Sequence, residues 1–167
     1  MKKLTASINE ATKETNIVDA LKNALKEEFL AWYGYTIVKE WLTGIDRKEI
    51  EHFYEDTAKD ELEDHAYWLM KRINQLGGTV EDISQSPAVL ETAAHKYISP
   101  IWKGQNIDIK SSIEINIKNE EGAIQTYEAL VKMTETVDPT SNSKLKEILA
   151  DEQDHLQELK DFLQDIK

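Results

Sequence analysis

The sequence predicts an all-α fold, an antiparallel four-helix bundle with a long crossover between its second and third helices. Three observations support this. Apolar residues recur at spacings of three and four over four long stretches. A short break separates the first stretch from the second and another separates the third from the fourth, whereas a much longer break lies between the second and the third. Strands are disfavoured, because the β-branched run 107–117 is interrupted by Lys, Ser and Glu at helical spacing and has no hairpin partner.

The first two helices are predicted at 17–43 and 46–76, so residues 1–16 form an N-terminal arm and 17–167 the bundle. The break between them is only Thr-Gly-Ile-Asp, which makes the two helices antiparallel neighbours. Asp46, followed three residues later by Glu49, has the pattern of a helix N-cap.

The last two helices are predicted at 109–137 and 141–166, with another short break between them. The middle break runs from Gly77 to about Ile107 and contains Pro and Gly. It is long enough to traverse a bundle from end to end. The chain therefore consists of two helical hairpins joined by one crossover.

Composition excludes several kinds of chemistry. The net charge of −12, from 32 acidic and 20 basic residues, disfavours direct DNA binding and favours cations. The absence of cysteine excludes disulfides, thiolate metal sites, iron–sulfur clusters and thiol nucleophiles. No run approaches the roughly 18 apolar residues of a membrane span. The first residues also lack the apolar stretch of a signal peptide, so we expect a cytoplasmic protein.

Acidic residues interrupt all four apolar faces near the middle of the helices, and two of them are accompanied by histidine. The interrupting residues are Glu28 in the first helix, Glu61 and His65 in the second, Glu120 in the third, and Glu152 and His155 in the fourth. Four carboxylates in one core would repel each other, and each costs several kcal/mol to bury alone. Two divalent cations remove that penalty. Oxygen and imidazole ligands suit iron and manganese, and zinc is a further candidate.

The two hairpins repeat this pattern. Glu28, Ala31 and Tyr35 have the same spacing as Glu120, Ala123 and Tyr127, 92 residues later. The offset is 91 residues from Glu61 to Glu152 and 90 from His65 to His155. We expect a pseudo-two-fold site in which each tyrosine hydrogen-bonds across the bundle to an opposing ligand.

These residues, together with the stretch His-Ala-Tyr-Trp-Leu-Met-Lys-Arg-Ile-Asn-Gln-Leu-Gly-Gly that begins at His65, resemble the ferritin-like di-iron family over about residues 17–166. The resemblance is greatest to Dps-like ferritins that keep a bacterioferritin-type site within one subunit and lack a fifth helix. It implies an oxidoreductase with ferroxidase activity that consumes Fe(II) with H2O2 or O2. It also implies two irons per subunit, iron storage in a homo-oligomeric shell and protection against oxidative stress.

Several details depart from the family pattern. The family's helix-two Glu precedes its His by three positions, where this chain has Leu62. Glu61, four positions back, is the predicted ligand, and Glu63 is the substitute. Leu62 also follows Glu61 where bacterioferritin has its haem-ligating Met, so no haem is predicted. No His precedes His52, which favours a site within one subunit over the inter-subunit site of Dps proteins proper.

The chain ends directly after the fourth helix, so a 24-subunit shell that depends on a fifth helix is less expected than a dodecamer or a dimer, and of these the dodecamer is favoured. The acids beside the proposed ligands, Glu27, Glu121 and Asp151, are assigned to solvated faces or to an iron access path. Two alternatives stay open. One is a peroxidase or manganese-catalase-like enzyme without mineral storage, and the other is a non-enzymatic bundle with a structural or zinc-binding polar core.

Overall fold

The computed structural model describes residues 2–45, 47–80 and 107–166, with side chains from residue 16 onward. Helix α1 spans Lys2–Trp41 and is followed by the two-residue strand β1, Leu42–Thr43. Helix α2 (Arg47–Lys59), a π-helical turn (Asp60–Ala66) and helix α3 (Tyr67–Gln75) follow one another without a break. Strand β2 (Ile107–Asp108) leads into helix α4 (Ile109–Thr134), and helix α5 spans Pro139–Asp165.

Two apolar clusters show how these helices run. One cluster contains Leu21 of α1, Ile73 of α3 and Leu145 of α5. The other contains Val38 of α1 and Ile107 of β2, so one cluster lies at the middle of α1 and the other near its C-terminal end. Helix α3 therefore ends at the first cluster and α4 begins at the second, and the chain between them must travel the length of the bundle. The antiparallel bundle and its crossover, predicted from the sequence, are confirmed.

The termini of α4 and α5 show why these helices begin where they do. The carboxylate of Asp108 accepts a hydrogen bond from the backbone N–H of Ser111 at 3.0 Å, and Asp138 does the same for Ser141 at 3.1 Å. Pro139 occupies the first turn of α5, where a missing N–H costs nothing. The cap predicted at Asp46 lies outside the described residues.

Two boundaries differ from the sequence-based expectation. Helix α1 begins at Lys2 rather than near residue 17, because residues 2–16 contain no Gly or Pro that would stop a helix. A short parallel pair joins Leu42 to Ile107 and Thr43 to Asp108, whereas no strand was expected. The pair forms because the end of α1 and the start of α4 meet at the same end of the bundle.

A polar contact fixes the opposite end. The Arg72 guanidinium donates to the Ser141 hydroxyl and to the Asp138 carboxylate, each at 2.7 Å. It thereby ties α3 to the turn between α4 and α5. Within the described residues, no helix has both the length and the apolarity that a membrane crossing requires.

Candidate metal centre

The six predicted ligands meet midway between the two apolar clusters. Glu28 lies between Leu25 and Tyr35 of α1, residues that belong to different clusters. The other members lie at the same depth in the π-helical turn, α4 and α5. All six residues are at most 7% exposed: Glu28, Glu61, His65, Glu120, Glu152 and His155. The fold thus gathers in one buried volume residues that are distant in the sequence.

The potential ligand atoms form two groups of four. One group consists of Glu28, Glu61, His65 and Glu152, and the other of Glu61, Glu120, Glu152 and His155. In each group the ligand atoms lie within 4.8 Å of one another. Glu61 and Glu152 belong to both groups, so each can offer one oxygen to either side. Two cation positions that share two carboxylates are therefore adjacent.

The π-helical turn explains the unusual spacing of Glu61 and His65. Its i→i+5 hydrogen bonds accommodate one more residue per turn than an α-helix does. A separation of four residues within Asp60–Ala66 therefore turns the side chains through nearly the same angle as three residues of an α-helix. The second hairpin has no such insertion between Glu152 and His155. Because the first hairpin has one extra residue between its Glu and its His, the offset falls from 91 between Glu61 and Glu152 to 90 between His65 and His155.

The neighbouring acid that could have replaced Glu61 lies elsewhere. Glu63 is exposed and belongs to neither group, whereas Glu61 is 1% exposed and belongs to both. The π turn thus places Glu61, and not Glu63, inside the buried cluster.

Buried polar atoms without partners indicate that the cluster fits metal ions. Among the described residues, Glu61 Oε1, both carboxylate oxygens of Glu152 and His155 Nδ1 are buried without a hydrogen bond. Such atoms normally find a partner, because desolvation alone costs about 1–3 kcal/mol each. Three of the four are oxygens of the two shared carboxylates. A mixed set of carboxylate oxygens and imidazole nitrogens suits divalent transition metals such as iron.

The electrostatics of the cluster are those of crowded acids. Burial, followed by the charges of Glu152 and Glu28, raises the pKa of Glu61. Burial, followed by the charge of Glu152, likewise raises the pKa of Glu120. Burial acts in the same direction on Glu152, but the nearby imidazoles of His155 and His65 outweigh it and lower the pKa of Glu152 to about 2. Without cations, protons and imidazolium charges must neutralise the acids.

Both histidines present Nδ1 to the acids. His65 Nδ1 lies 3.3 Å from Glu28, 3.2 Å from Glu61 and 3.3 Å from Glu152. His155 Nδ1 lies 3.5 Å from Glu152 and 3.8 Å from Glu61. Burial by itself lowers the pKa of His155, but contacts with Asp60 and Glu152 raise it to about 10. The nitrogen that would bind a cation therefore faces the shared carboxylates in both rings.

Two tyrosines hold the unshared carboxylates in place. Tyr35 of α1 donates a hydrogen bond to Glu120 of α4, and Tyr127 of α4 donates one to Glu28 of α1. Both phenols are at most 1% exposed. Burial, followed by the charge of the accepting glutamate, raises the pKa of each tyrosine. These are the cross-bundle hydrogen bonds that the repeat led us to expect.

A cavity of about 250 Å³ opens onto the cluster between α1 and α4. It reaches all four glutamates of the cluster, and its wall also contains Glu27 and Asn119. Three of its lining residues have little or no side chain: Ala31, Gly122 and Ala123. Small side chains leave the passage open at the level of the carboxylates. The sequence indicated acids near such a path but not its location.

Comparison with known proteins agrees with this fold. Residues 18–167 match the ferritin-like domain of the ferritin family, and the chain belongs to that family. It is 26% identical over 139 residues to a DNA protection during starvation protein from Pyrococcus furiosus, covering 83% of this chain and 72% of the relative.

Two solved structures are similar along nearly their whole length. The dodecameric thioferritin of Bacteroides fragilis, a bacterioferritin-related protein, is 31% identical, with a TM-score of 0.81 and coverage of 97% of this chain and 94% of that chain. A ferritin-like, diiron-carboxylate protein of Bacillus anthracis is 25% identical, with a TM-score of 0.73 and coverage of 90% and 97%, respectively.

Proposed function

We propose that this protein is a ferroxidase that oxidises Fe(II) at the buried six-residue cluster with H2O2 or O2 and stores the ferric product. The observation that carries the proposal is the pair of four-residue groups sharing Glu61 and Glu152. Two Fe(II) ions held on shared carboxylates can supply two electrons to a single oxidant. The proposed ligands are Glu28 and His65 at one position and Glu120 and His155 at the other, with Glu61 and Glu152 shared.

The protein's residues have separate tasks in this reaction. Fe(II) reaches the shared carboxylates through the cavity between α1 and α4, past Glu27. Each ion loses one electron, and the two electrons with two protons reduce one H2O2 to two waters. With O2 as oxidant, the same two electrons and two protons give one H2O2. The four carboxylates offset the charge gained by the ions, and Tyr35 and Tyr127 keep Glu120 and Glu28 oriented.

Storage of the product requires an enclosed space that one bundle does not provide. The similar Bacteroides fragilis protein is dodecameric, and we extend that assembly to this chain, in preference to a dimer or a 24-subunit shell. The proposed compartment is the cytoplasm. Manganese or zinc could bind the same donors, but only a redox-active metal such as iron or manganese can supply the electrons.

The test is stopped-flow oxidation of Fe(II) by H2O2, followed through the ultraviolet absorbance of the ferric product. Glu61→Ala should slow the fast phase more than about 100-fold, because both metal positions lose a ligand. Glu63→Ala is the matched control, since Glu63 is adjacent and exposed, and it should leave the rate unchanged. Equal rates in the two variants would refute the assignment. Peroxide consumption by the wild type without a ferric core would favour a peroxidase.

A further inference from the structure

The cavity between α1 and α4 is larger than the reactants of the proposed ferroxidase reaction require. Its volume is about 250 Å³. A protein cavity of about 150 Å³ accommodates benzene, which has six non-hydrogen atoms. H2O2 and O2 have two non-hydrogen atoms each, and Fe(II) is a single ion. The cavity therefore has room for an oxidant with several more atoms than H2O2.

The wall of this cavity is partly acidic and partly apolar. The carboxylates of Glu61 and Glu152 line it, and three of their four oxygens are buried without a hydrogen bond. Ala31 of α1 and Ala123 of α4 also line it, together with Gly122. Methyl groups offer no ligand to a cation. The entry of Fe(II) therefore explains the space that these small residues leave, but not the apolar surface that they form.

The apolar part of the wall lies close to the acidic part. Ala31 follows Glu28 by three residues on α1, and Ala123 follows Glu120 by three residues on α4. Residues three apart are neighbours on a helix surface, with about 5–6 Å between their Cβ atoms. A molecule whose reactive group lies among the carboxylates can therefore place an attached alkyl group against the two alanines, where it is removed from water.

The charge of the cavity restricts which molecules enter it. Five glutamates line it, and none of its described lining residues is a lysine or an arginine. A cavity lined by acids repels anions. Alkyl hydroperoxides, R–OOH, are neutral at pH 7 and combine a peroxide group with an apolar group. Their chemistry therefore matches both parts of the wall.

We infer that the site also reduces compact, neutral alkyl hydroperoxides, which bind with the alkyl group against Ala31 and Ala123. The O–O bond of the hydroperoxide breaks, and each of two Fe(II) ions loses one electron. These two electrons and two protons convert ROOH into one alcohol, ROH, and one water. The inference rests on the proposed function, because it names a further oxidant for the same site.

The test is a stopped-flow experiment in which the assembled protein is loaded anaerobically with two Fe(II) per chain and then mixed with tert-butyl hydroperoxide or with H2O2. Loading beforehand removes iron entry from the measured rate. tert-Butyl hydroperoxide has as many non-hydrogen atoms as benzene, and it should oxidise bound iron at least about tenfold faster than Fe(II) in the same buffer. One tert-butanol should form for every two Fe(II). Reduction by single irons would instead give tert-butoxyl radicals, which fragment to acetone.

Ala123→Leu adds three carbon atoms to the cavity wall. It should lower the ratio of the tert-butyl hydroperoxide rate to the H2O2 rate by about tenfold. Both rates come from the same protein, so partial unfolding cannot imitate a change in their ratio. Ala129→Leu is the matched control, because Ala129 is exposed on α4 and does not line the cavity, and it should keep the wild-type ratio.

The inference is wrong if tert-butyl hydroperoxide oxidises bound iron no faster than free Fe(II), or if acetone is the main product. It is also wrong if the Ala123 and Ala129 variants give the same ratio of rates. Rapid oxidation by H2O2 or O2 alone would leave the proposed function standing without this inference. Slow oxidation by every oxidant would overturn the proposed function as well.

Discussion

Replacing Glu61 by Gln should have opposite effects on the stability of the apo-protein and of the metal-loaded protein. Burial, together with the charges of Glu152 and Glu28, raises the pKa of Glu61. An acid whose pKa is raised by folding destabilises the folded state at pH values above its unfolded pKa. At pH 7 the neutral amide removes that cost. The apo variant should therefore unfold at a temperature at least as high as the wild type.

The effect of metal follows from the sharing of Glu61 between both groups. An ion at 100 times its dissociation constant stabilises the folded state by about 2.7 kcal/mol. Two ions together give about 5 kcal/mol, or a rise of about 10–20 °C for a chain of this size. Glu61→Gln should lose most of this rise, because both positions lose an anionic oxygen. Glu28→Gln, which affects one position, should keep about half.

The assay is thermal unfolding followed by circular dichroism, with and without Co(II). Protein concentration is held constant, because assembly is linked to stability. Each variant is measured first in the apo form, so that the effect of lost charge is separated from the effect of lost metal. If Glu61→Gln keeps as much of the metal-induced rise as Glu28→Gln does, then Glu61 is not shared and the geometric reasoning is refuted.

Three further predictions concern the cavity, the packing and the polar contact at one end of the bundle. Ala123→Leu should narrow the cavity and slow iron oxidation several-fold, while the equilibrium affinity for Co(II) stays unchanged. If the rate of iron oxidation is unchanged, Fe(II) does not enter through this cavity. Gly78→Ala should cost about 1–3 kcal/mol in urea unfolding, because its Cβ would lie 2.6 Å from a Val18 methyl group. Gly122→Ala should stabilise its helix by about 0.5–1 kcal/mol, because no atom lies within 4 Å of the added Cβ. If the Gly78 and Gly122 variants change the free energy of unfolding equally, Gly78 is not closely packed against Val18. Arg72→Ala should cost about 2–3 kcal/mol at pH 7. Partial burial raises the pKa of Asp138, but Arg72 and Ser141 outweigh it and lower this pKa overall. The difference in unfolding free energy between wild type and Arg72→Ala should therefore shrink as the pH falls through the lowered pKa. If urea unfolding gives the same difference at every pH, the ion pair is not its cause.

The candidate site could be identified from the sequence because its residues break an otherwise regular pattern. Glu28, Glu120, Glu152 and His155 each occupy an apolar helical face where a buried acid or imidazole needs a partner. Their repeat at nearly constant offset then indicates one shared site. Asp151 carried no such signal, because an acid at the edge of a helical face resembles any solvated residue. Its contact with His65 becomes visible only in the folded structure, where α5 lies against the π-helical turn.

The sequence by itself determined the four helices, their antiparallel order, the crossover and the set of acids and imidazoles in the core. These features follow from apolar periodicity, from the lengths of the breaks and from the cost of burying charge. Only the tertiary structure decided that Glu61 rather than Glu63 enters the cluster, that Asp60 and Asp151 lie beside the histidines of the opposite helix, and that the cavity opens between α1 and α4. The reason is that each depends on the direction in which a side chain points across the bundle. The π-helical turn accommodates one extra residue and so changes the direction in which the following side chains point, an effect that the apolar periodicity of the sequence does not reveal.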